Sequence, residues 1–356
     1  MDFVVKYFTI INSGVLVMEF KDLEKVDIKC MYKTYDNWPD IASKSYNKTY
    51  EKMDVKDIDH IVFAGMGGSG SIGDTIGSIL SKEDIHVSNV KGYLLPKTVD
   101  SKTLVIATSV SGKTMETIQI LKNVKNSSAT AVGFSSGGML EQYCKNQDIF
   151  FQKIPMIHSP RASFTSFLFS ILNILEPILP IRQRDVKEAI SMLKKTKENI
   201  FSENLTIKNK SLELAQFTNN ITCIYHAAGL QASAVRYKNS LQENAKIHCM
   251  VEDVIESSHN GIVPWEMNST VKPVLIQGKD DHDKTSLRWK ILKEFFEMKK
   301  IDFKVIDSVE GNILSKITNL IYLLDYSTIY SAILNNIDPS PVSSIDFIKN
   351  KLEIQE

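Results

Sequence analysis

Residues 60–71, HIVFAGMGGSGS, combine a short apolar run with a glycine-rich turn. The run at 60–64 has the length and residue types of a buried strand, and a helical pattern follows at 68–80. Glycine at a strand-to-helix turn lets the backbone approach an anion closely, and the helix N-terminus supplies unpaired N–H donors. The string also fits GxGxxG, so a dinucleotide site and a tight turn without any ligand remain alternatives at this point.

A second turn of this kind lies at residues 109–114, SVSGKT, where the apolar run at 103–109 ends. Ser109, Ser111 and Thr114 offer hydroxyls around a glycine at the start of a helical pattern, which suits a phosphate monoester. Helix capping by Ser111 or Thr114 is the simpler alternative, although a cap needs only one of these hydroxyls. The Gly-Lys-Thr ending imitates a nucleotide-binding P-loop, but Ala107 stands where that motif requires glycine, so the spacing excludes it.

Strand-like apolar runs and amphipathic helical patterns alternate along the chain, which is typical of parallel α/β architecture. Strands are predicted at 60–64, 85–90, 103–109, 129–134 and 149–153, and again at 221–226, 247–252, 274–277 and 303–306. Helices are predicted between them, among them 231–244, 284–298 and 313–334, with a tail helix at 345–352. We therefore predict an α/β fold with two doubly wound parallel-sheet domains, a helical connector and C-terminal helices.

The predicted divisions of the chain follow from this alternation. They are an N-terminal extension at 1–17, N-terminal helices at 18–58, a first domain at 59–160, a connector at 161–220, a second domain at 221–335 and a tail at 336–356. The two halves also resemble each other, because the strand at 221–226 leads into Ala227-Ala228-Gly229 much as 60–64 leads into its turn. The second turn lacks the additional glycines, so only the first half is equipped to hold a phosphate.

Composition excludes several classes of protein. The 356 residues carry 42 Lys and Arg against 42 Asp and Glu, so bulk positive charge is not available for nucleic-acid binding. The four cysteines are widely spaced and form no CxxC pair, which fits neither a disulfide framework nor a zinc site and predicts a reducing, cytoplasmic setting. No apolar run reaches the roughly 20 residues that span a bilayer, so no membrane association is expected.

Three polar residues near predicted element ends are further candidates for function. Arg161 follows the first sheet, Glu243 lies at the end of the helix predicted at 231–244, and His259 lies in a polar loop beyond the strand predicted at 247–252. Each also has an ordinary interpretation: a solvated arginine, a surface glutamate and a turn histidine. Composition alone does not choose between these interpretations.

Six ordered segments together resemble one family. They are GMGGSGSIGD, SVSGKTMET, PRASF, QENAK, SHNGIVPWE and the C-terminal DPSPV, and they extend from the first glycine-rich turn to the tail. The chain is similar to the bifunctional phosphoglucose/phosphomannose isomerases, relatives of glucose-6-phosphate isomerase that are built from two sugar isomerase (SIS) domains. The resemblance implies an aldose–ketose isomerase of glycolysis and gluconeogenesis that acts on sugar 6-phosphates without a metal or other cofactor.

The resemblance also implies roles for individual residues. Glu243 matches the base that transfers the proton, Arg161 the arginine beside the enediolate, and His259 the histidine that assists ring opening from the neighbouring subunit of a homodimer. The tail lysine of the site matches Lys349, with Lys351 as a close alternative. The residues that would bind the 6-phosphate are Gly67, Ser69, Ser109, Ser111 and Thr114.

The chain departs from the family pattern at three places. Relatives commonly have glutamate where Gly261 stands, a neutral residue where Lys113 stands, and threonine where Ser340 stands. Gly261 removes a partner for His259. Ser340 stands where relatives often have threonine, and a threonine near the tail is linked to mannose-phosphate activity in the family.

Two other functions compete with the isomerase. A non-catalytic SIS-type regulator would keep the phosphate cradle but would need neither Glu243 nor His259. A nicotinamide dehydrogenase would need a carboxylate about 20 residues after the glycines, at the end of a second strand. Asp84 precedes the strand predicted at 85–90, and the residues that end that strand include no carboxylate.

Overall fold

The computed structural model describes residues 18–353, and two parallel sheets form its framework. The predicted extension at 1–17 lies outside the described residues. The first sheet contains β1 (His60–Ala64), β2 (His86–Val90), β3 (Thr103–Ser109), β4 (Thr130–Ser135) and β5 (Phe150–Lys153). Its order is β2-β1-β3-β4-β5, and every pairing is parallel. Strands β1 and β3 are buried throughout, which explains their continuous apolar sequences.

The second sheet repeats the same plan with one strand fewer. It contains β6 (Thr222–His226), β7 (Cys249–Asp253), β8 (Lys272–Gln277) and β9 (Lys304–Asp307), all parallel, in the order β7-β6-β8-β9. In both sheets the first strand lies between the second and the third. The predicted α/β fold with two doubly wound parallel sheets is therefore confirmed.

Helices connect the strands of each sheet. In the first half these are α4 (Gly67–Ile79), α5 (Met115–Val124) and α6 (Gly138–Asn146). In the second half they are α10 (Gln231–Ser240), a π-helical turn (Leu241–Ala245), α11 (Val254–Ser257), a 3₁₀ turn (Val263–Glu266), α12 (Asp283–Met298) and α13 (Ile313–Leu334). Among residues 18–353, none of the helices has the length and hydrophobicity that a membrane crossing demands.

The remaining helices join the two halves. They are α1 (Phe20–Val26), α2 (Met31–Asp36) and α3 (Trp38–Asn47) before the first sheet, α7 (Phe164–Ile174), α8 (Gln183–Ile200) and α9 (Lys210–Phe217) between the sheets, and the tail helix α14 (Ser343–Glu353). Almost every residue of α13 is buried. Trp38 stacks on Tyr322 of α13 with ring centroids 5.2 Å apart, so the N-terminal helices pack directly on the second half of the chain.

A buried ion pair lies where these helices meet. Arg236 of α10 donates from Nη2 to Asp325 Oδ2 of α13 at 2.7 Å, and neither side chain is more than 2% exposed. Ser240 Oγ donates to Asp325 Oδ1 at 2.6 Å, and Tyr35 Oη donates to Asp325 Oδ2 at 3.3 Å. Burial, together with the Asp325 charge, raises the pKa of Tyr35, so its hydroxyl stays a donor. Buried charge is tolerated here because the carboxylate is fully hydrogen-bonded.

The largest departure from prediction lies near Glu243. The helix predicted at 231–244 is regular only through Ser240, and the π-helical turn follows. The strand predicted at 247–252 begins two residues later, at Cys249. The numerical domain boundaries remain predictions, since the connector helices pack on both halves.

Candidate functional site

The two glycine- and hydroxyl-rich turns lie side by side at the carboxyl edge of the first sheet. Strands β1 and β3 are neighbours, and α4 and α5 begin directly beyond them, at Gly67 and Met115. The chain leaves β1 toward one neighbour and reaches β3 on its other side, so this is the switch point at which doubly wound sheets bind ligands. Ser69 Oγ accepts a hydrogen bond from the Val110 N–H at 3.2 Å and joins the two turns.

The hydroxyls of the second turn divide into two groups. Ser109 is buried, and its Oγ contacts Thr114 Oγ1 at 2.8 Å and accepts from the Gly112 N–H at 3.1 Å. Ser111 and Thr114 instead line a cavity of about 350 Å³, together with Lys113 and Lys349. Of the predicted phosphate ligands, Ser111 and Thr114 therefore face this cavity, whereas Ser109 and Ser69 hold the turns in shape.

Two glycines allow close backbone approach. Gly112 has φ +68°, and a Cβ there would overlap the carbonyl oxygen of Gly137. A Cβ on Gly68 would lie 3.1 Å from the Cα of Arg161. The missing side chain at Gly68 thus lets the backbone at Arg161 pack closely against the first turn of α4.

Arg161 and Glu243, which lie far apart in sequence, meet above this edge. Arg161 Nη1 lies 3.5 Å from Glu243 Oε2, and the guanidinium is only 5% exposed. Its Nε donates to Asn244 Oδ1 at 2.6 Å, and Asn244 Nδ2 donates to Thr328 Oγ1 at 2.8 Å. Arg236 Nη2 donates to the Arg161 carbonyl at 2.7 Å, so the buried ion pair also supports this arginine.

Glu243 opens onto a larger cavity of about 830 Å³. The residues around it include Gly67 and Lys91 from the first half, Lys246 and His248 beyond the π-helical turn, and Pro341–Ile345 from the tail. The two cavities adjoin at Ile345, which lines both. The structure thus brings Gly67 and Glu243 to one cavity, with the buried Arg161 in contact with Glu243, and brings Ser111, Thr114 and Lys349 to the neighbouring cavity.

His259 lies elsewhere in the chain. It is exposed in the turn after α11, beyond the end of β7, whereas Glu243 precedes the beginning of β7. The carbonyl of His248, between Glu243 and β7, accepts from the N–H of Thr222 at the start of β6, which fixes that end of the sheet. A five-residue strand measures about 17 Å, so β7 separates Glu243 from His259 within one chain.

Three residues near the cavity were not among those predicted. Asn244 orients Arg161, Lys246 contacts the tail, and His248 lines the cavity. Asn244 and Lys246 belong to the QENAK segment that carried part of the resemblance, so the motif itself was the available signal. Within residues 18–353 there is no group of three or more His, Cys, Asp or Glu residues arranged to hold a metal.

The two parallel sheets of similar strand order, and the two adjoining turns at the edge of the first sheet, define a protein of the SIS class. Residues 207–352 match the family model of the bacterial phospho-glucose isomerase C-terminal SIS domain. The fold resembles that of a hypothetical protein from Thermus thermophilus, with a TM-score of 0.72 over 94% of each chain at 12% sequence identity.

Two relatives define the family more narrowly. The chain is 31% identical over 337 residues to a bifunctional phosphoglucose/phosphomannose isomerase from Caldicellulosiruptor bescii, and the match covers 90% of this chain and 98% of that protein. It is 29% identical over 327 residues to the protein of the same name from Aquifex aeolicus, covering 89% and 94%. The chain belongs to the bifunctional phosphoglucose/phosphomannose isomerase family and is an isomerase, as the resemblance predicted.

Proposed function

We propose that this isomerase interconverts glucose 6-phosphate, and also mannose 6-phosphate, with fructose 6-phosphate through a cis-enediolate. The observation that carries the proposal is the Glu243 carboxylate, which lines the larger cavity and contacts the buried Arg161 guanidinium. A carboxylate suits proton transfer at carbon, and a fixed cation suits the negative charge that develops on the adjacent oxygens.

Binding would begin at the phosphate. The phosphate would lie against Ser111, Thr114 and the helix N-termini, with the ammonium groups of Lys113 and Lys349 beside it. The phosphate undergoes no chemistry, but its binding energy orients the carbon chain toward Glu243.

The chemical step would need a single base. Glu243 would take the proton from C2 of the open-chain aldose, and the C2–H electron pair would form the C1–C2 double bond of the enediolate. The same carboxylate would return the proton to C1 while the C2 oxygen becomes the ketone, and a proton moves between the two oxygens. Arg161 would stabilise the enediolate oxygens, and the overall composition of the sugar does not change.

Ring opening requires a second acid and base, and we assign it to His259 with Lys349. Because β7 separates His259 from Glu243 in one chain, His259 would reach the cavity of a second copy, and the active species would be a homodimer with shared sites. Exposed apolar side chains near His259 support such an interface, namely Ile255, Val263 and Met267.

A coupled assay tests the proposal. The purified protein is given fructose 6-phosphate, and glucose 6-phosphate and mannose 6-phosphate are measured separately. Formation of both products supports the full proposal, and glucose 6-phosphate alone would indicate that Ser340 in the tail is not equivalent to threonine. Binding of fructose 6-phosphate without either product would overturn the proposed substrates.

A further inference from the structure

The chain between α13 and α14 is held against the site by two cations. Arg161 Nη2 donates to the carbonyls of Pro339 at 2.5 Å and Ser340 at 3.0 Å. Lys246 Nζ donates to the next carbonyl, that of Pro341, at 2.9 Å. Three consecutive carbonyls of the tail are therefore bound by side chains that adjoin Glu243.

The Lys246 ammonium binds only backbone carbonyl oxygens among the described residues. Its Nζ also contacts the carbonyl oxygens of Glu243 at 2.5 Å and Asn244 at 3.4 Å, and an ammonium has three N–H donors. Within the described chain, no carboxylate oxygen lies within 4.0 Å of it. Partial burial, with the nearby Arg161 charge, lowers its pKa. Because its donors are used by carbonyls, Lys246 is suited to holding segments together and not to binding a substrate.

The backbone conformation of Lys246 also favours the contact between its side chain and Pro341. Lys246 ends the π-helical turn in the left-handed conformation, with φ 59° and ψ 34°, which is uncommon for residues other than glycine and asparagine. This conformation ends the turn that carries Glu243, three residues after it. The side chain then reaches back across the turn to Pro341.

The tail helix itself has little packing to hold it. Residues 343–352 are all exposed, including the apolar side chains of Phe347 and Ile348. Helix α14 nevertheless supplies Lys349 to the cavity that contains Ser111 and Thr114. An exposed helix keeps such a position only if its entry is fixed, and Lys246 provides the last of these anchors, two residues before α14 begins.

We propose that Lys246 is a positioning residue that ties the Glu243 turn to the tail and so holds α14 and Lys349 over the phosphate-binding turn. The consequence for substrate binding rests on the proposed function, whereas the anchoring itself does not.

Hydrogen exchange of the full-length protein without substrate tests the anchor. Lys246→Asn suits the left-handed backbone and removes the ammonium. Loss of this charge-assisted contact should accelerate amide exchange in residues 343–352 by about tenfold, while exchange in β1 and β3 stays unchanged. The matched control is Lys238→Gln, because Lys238 lines the same cavity from α10. Tail exchange equal to that of the control, in a variant whose sheets remain protected, would overturn the proposal.

Steady-state kinetics supply the second readout. Lys246→Asn should raise KM for fructose 6-phosphate by about tenfold, because Lys349 would no longer lie beside the phosphate, and it should also lower kcat, because Lys349 would take part in ring opening. A variant that loses kcat at constant KM would contradict a role in positioning the tail. If the wild-type protein does not turn over fructose 6-phosphate, the proposed function fails, yet the exchange experiment still decides whether Lys246 is the anchor.

Discussion

At the scale of single residues, Arg161 binds two sets of partners through different nitrogen atoms. Its Nε and Nη2 atoms bind Asn244 and the tail carbonyls, and only Nη1 faces Glu243. A guanidinium can do this because its five donors form a fixed planar fork, whereas an ammonium is a point donor on a flexible stem. Arg161 is therefore oriented before any substrate arrives.

Replacing Arg161 tests its effect on the reaction. Arg161→Met removes the cation beside Glu243, so kcat should fall by about 100-fold, near 3 kcal/mol, and by more than KM rises. Arg161→Lys keeps the charge but not the fork and should recover part of kcat. Steady-state kinetics on both variants are the measurement. A rise in KM larger than the fall in kcat would mean that Arg161 mainly binds the ground-state sugar.

Glu243 provides the sharper residue-level prediction. Glu243→Gln keeps the shape but cannot accept the proton, so kcat should fall by at least about 100-fold while fructose 6-phosphate still binds. Kinetics and a binding titration of the same preparation measure both quantities. Glu297→Gln changes an exposed carboxylate on α12 and should leave both unaltered. Near-normal kcat in Glu243→Gln would reassign the base.

At the scale of elements, the strands and turns of the first half were predictable because local sequence determines them. Fully buried strands need continuous apolar runs, and β1 and β3 have them. The π-helical turn was not predictable in this way. Residues 241–245 carry no helix breaker, and their geometry follows from tertiary contacts of Asn244 with Arg161 and Thr328.

Local sequence also did not predict which side chains of the site contact each other. The QENAK and PRASF segments indicated Glu243 and Arg161, but their meeting depends on how α10 packs against the turn before α7. Lys246 was missed because its partner, the Pro341 carbonyl, lies 95 positions away and has no side-chain signature.

The buried ion pair between Arg236 of α10 and Asp325 of α13 gives a prediction at the scale of elements. Asp325→Ala leaves the Arg236 guanidinium buried without its carboxylate, so the free energy of unfolding should fall by about 3–5 kcal/mol. The double variant Arg236→Met/Asp325→Leu removes both charges and should be considerably more stable than Asp325→Ala. Urea unfolding of the three proteins makes the comparison. A loss below about 1 kcal/mol in Asp325→Ala would show that the pair contributes little to holding α10 on α13.

At the scale of the whole molecule, the proposed role of His259 requires an active particle of at least two chains. Glu243 and His259 lie beyond opposite ends of β7, so a site that uses both needs two chains. Mixing two inactive variants tests this directly. Glu243→Gln chains supply an intact His259, and His259→Ala chains supply an intact Glu243. Each mixed dimer then has one complete site and one doubly defective site, and random reassociation should restore about a quarter of wild-type activity.

The control for this mixture is the pairing of Glu243→Gln with the double variant Glu243→Gln/His259→Ala. No site in that mixture has an intact Glu243, so activity should stay at background. Light scattering confirms that the variants associate. If they associate and the first mixture also stays inactive, His259 does not act across the interface. His248, which shares the cavity with Glu243 in the same chain, would then be the histidine to test for ring opening.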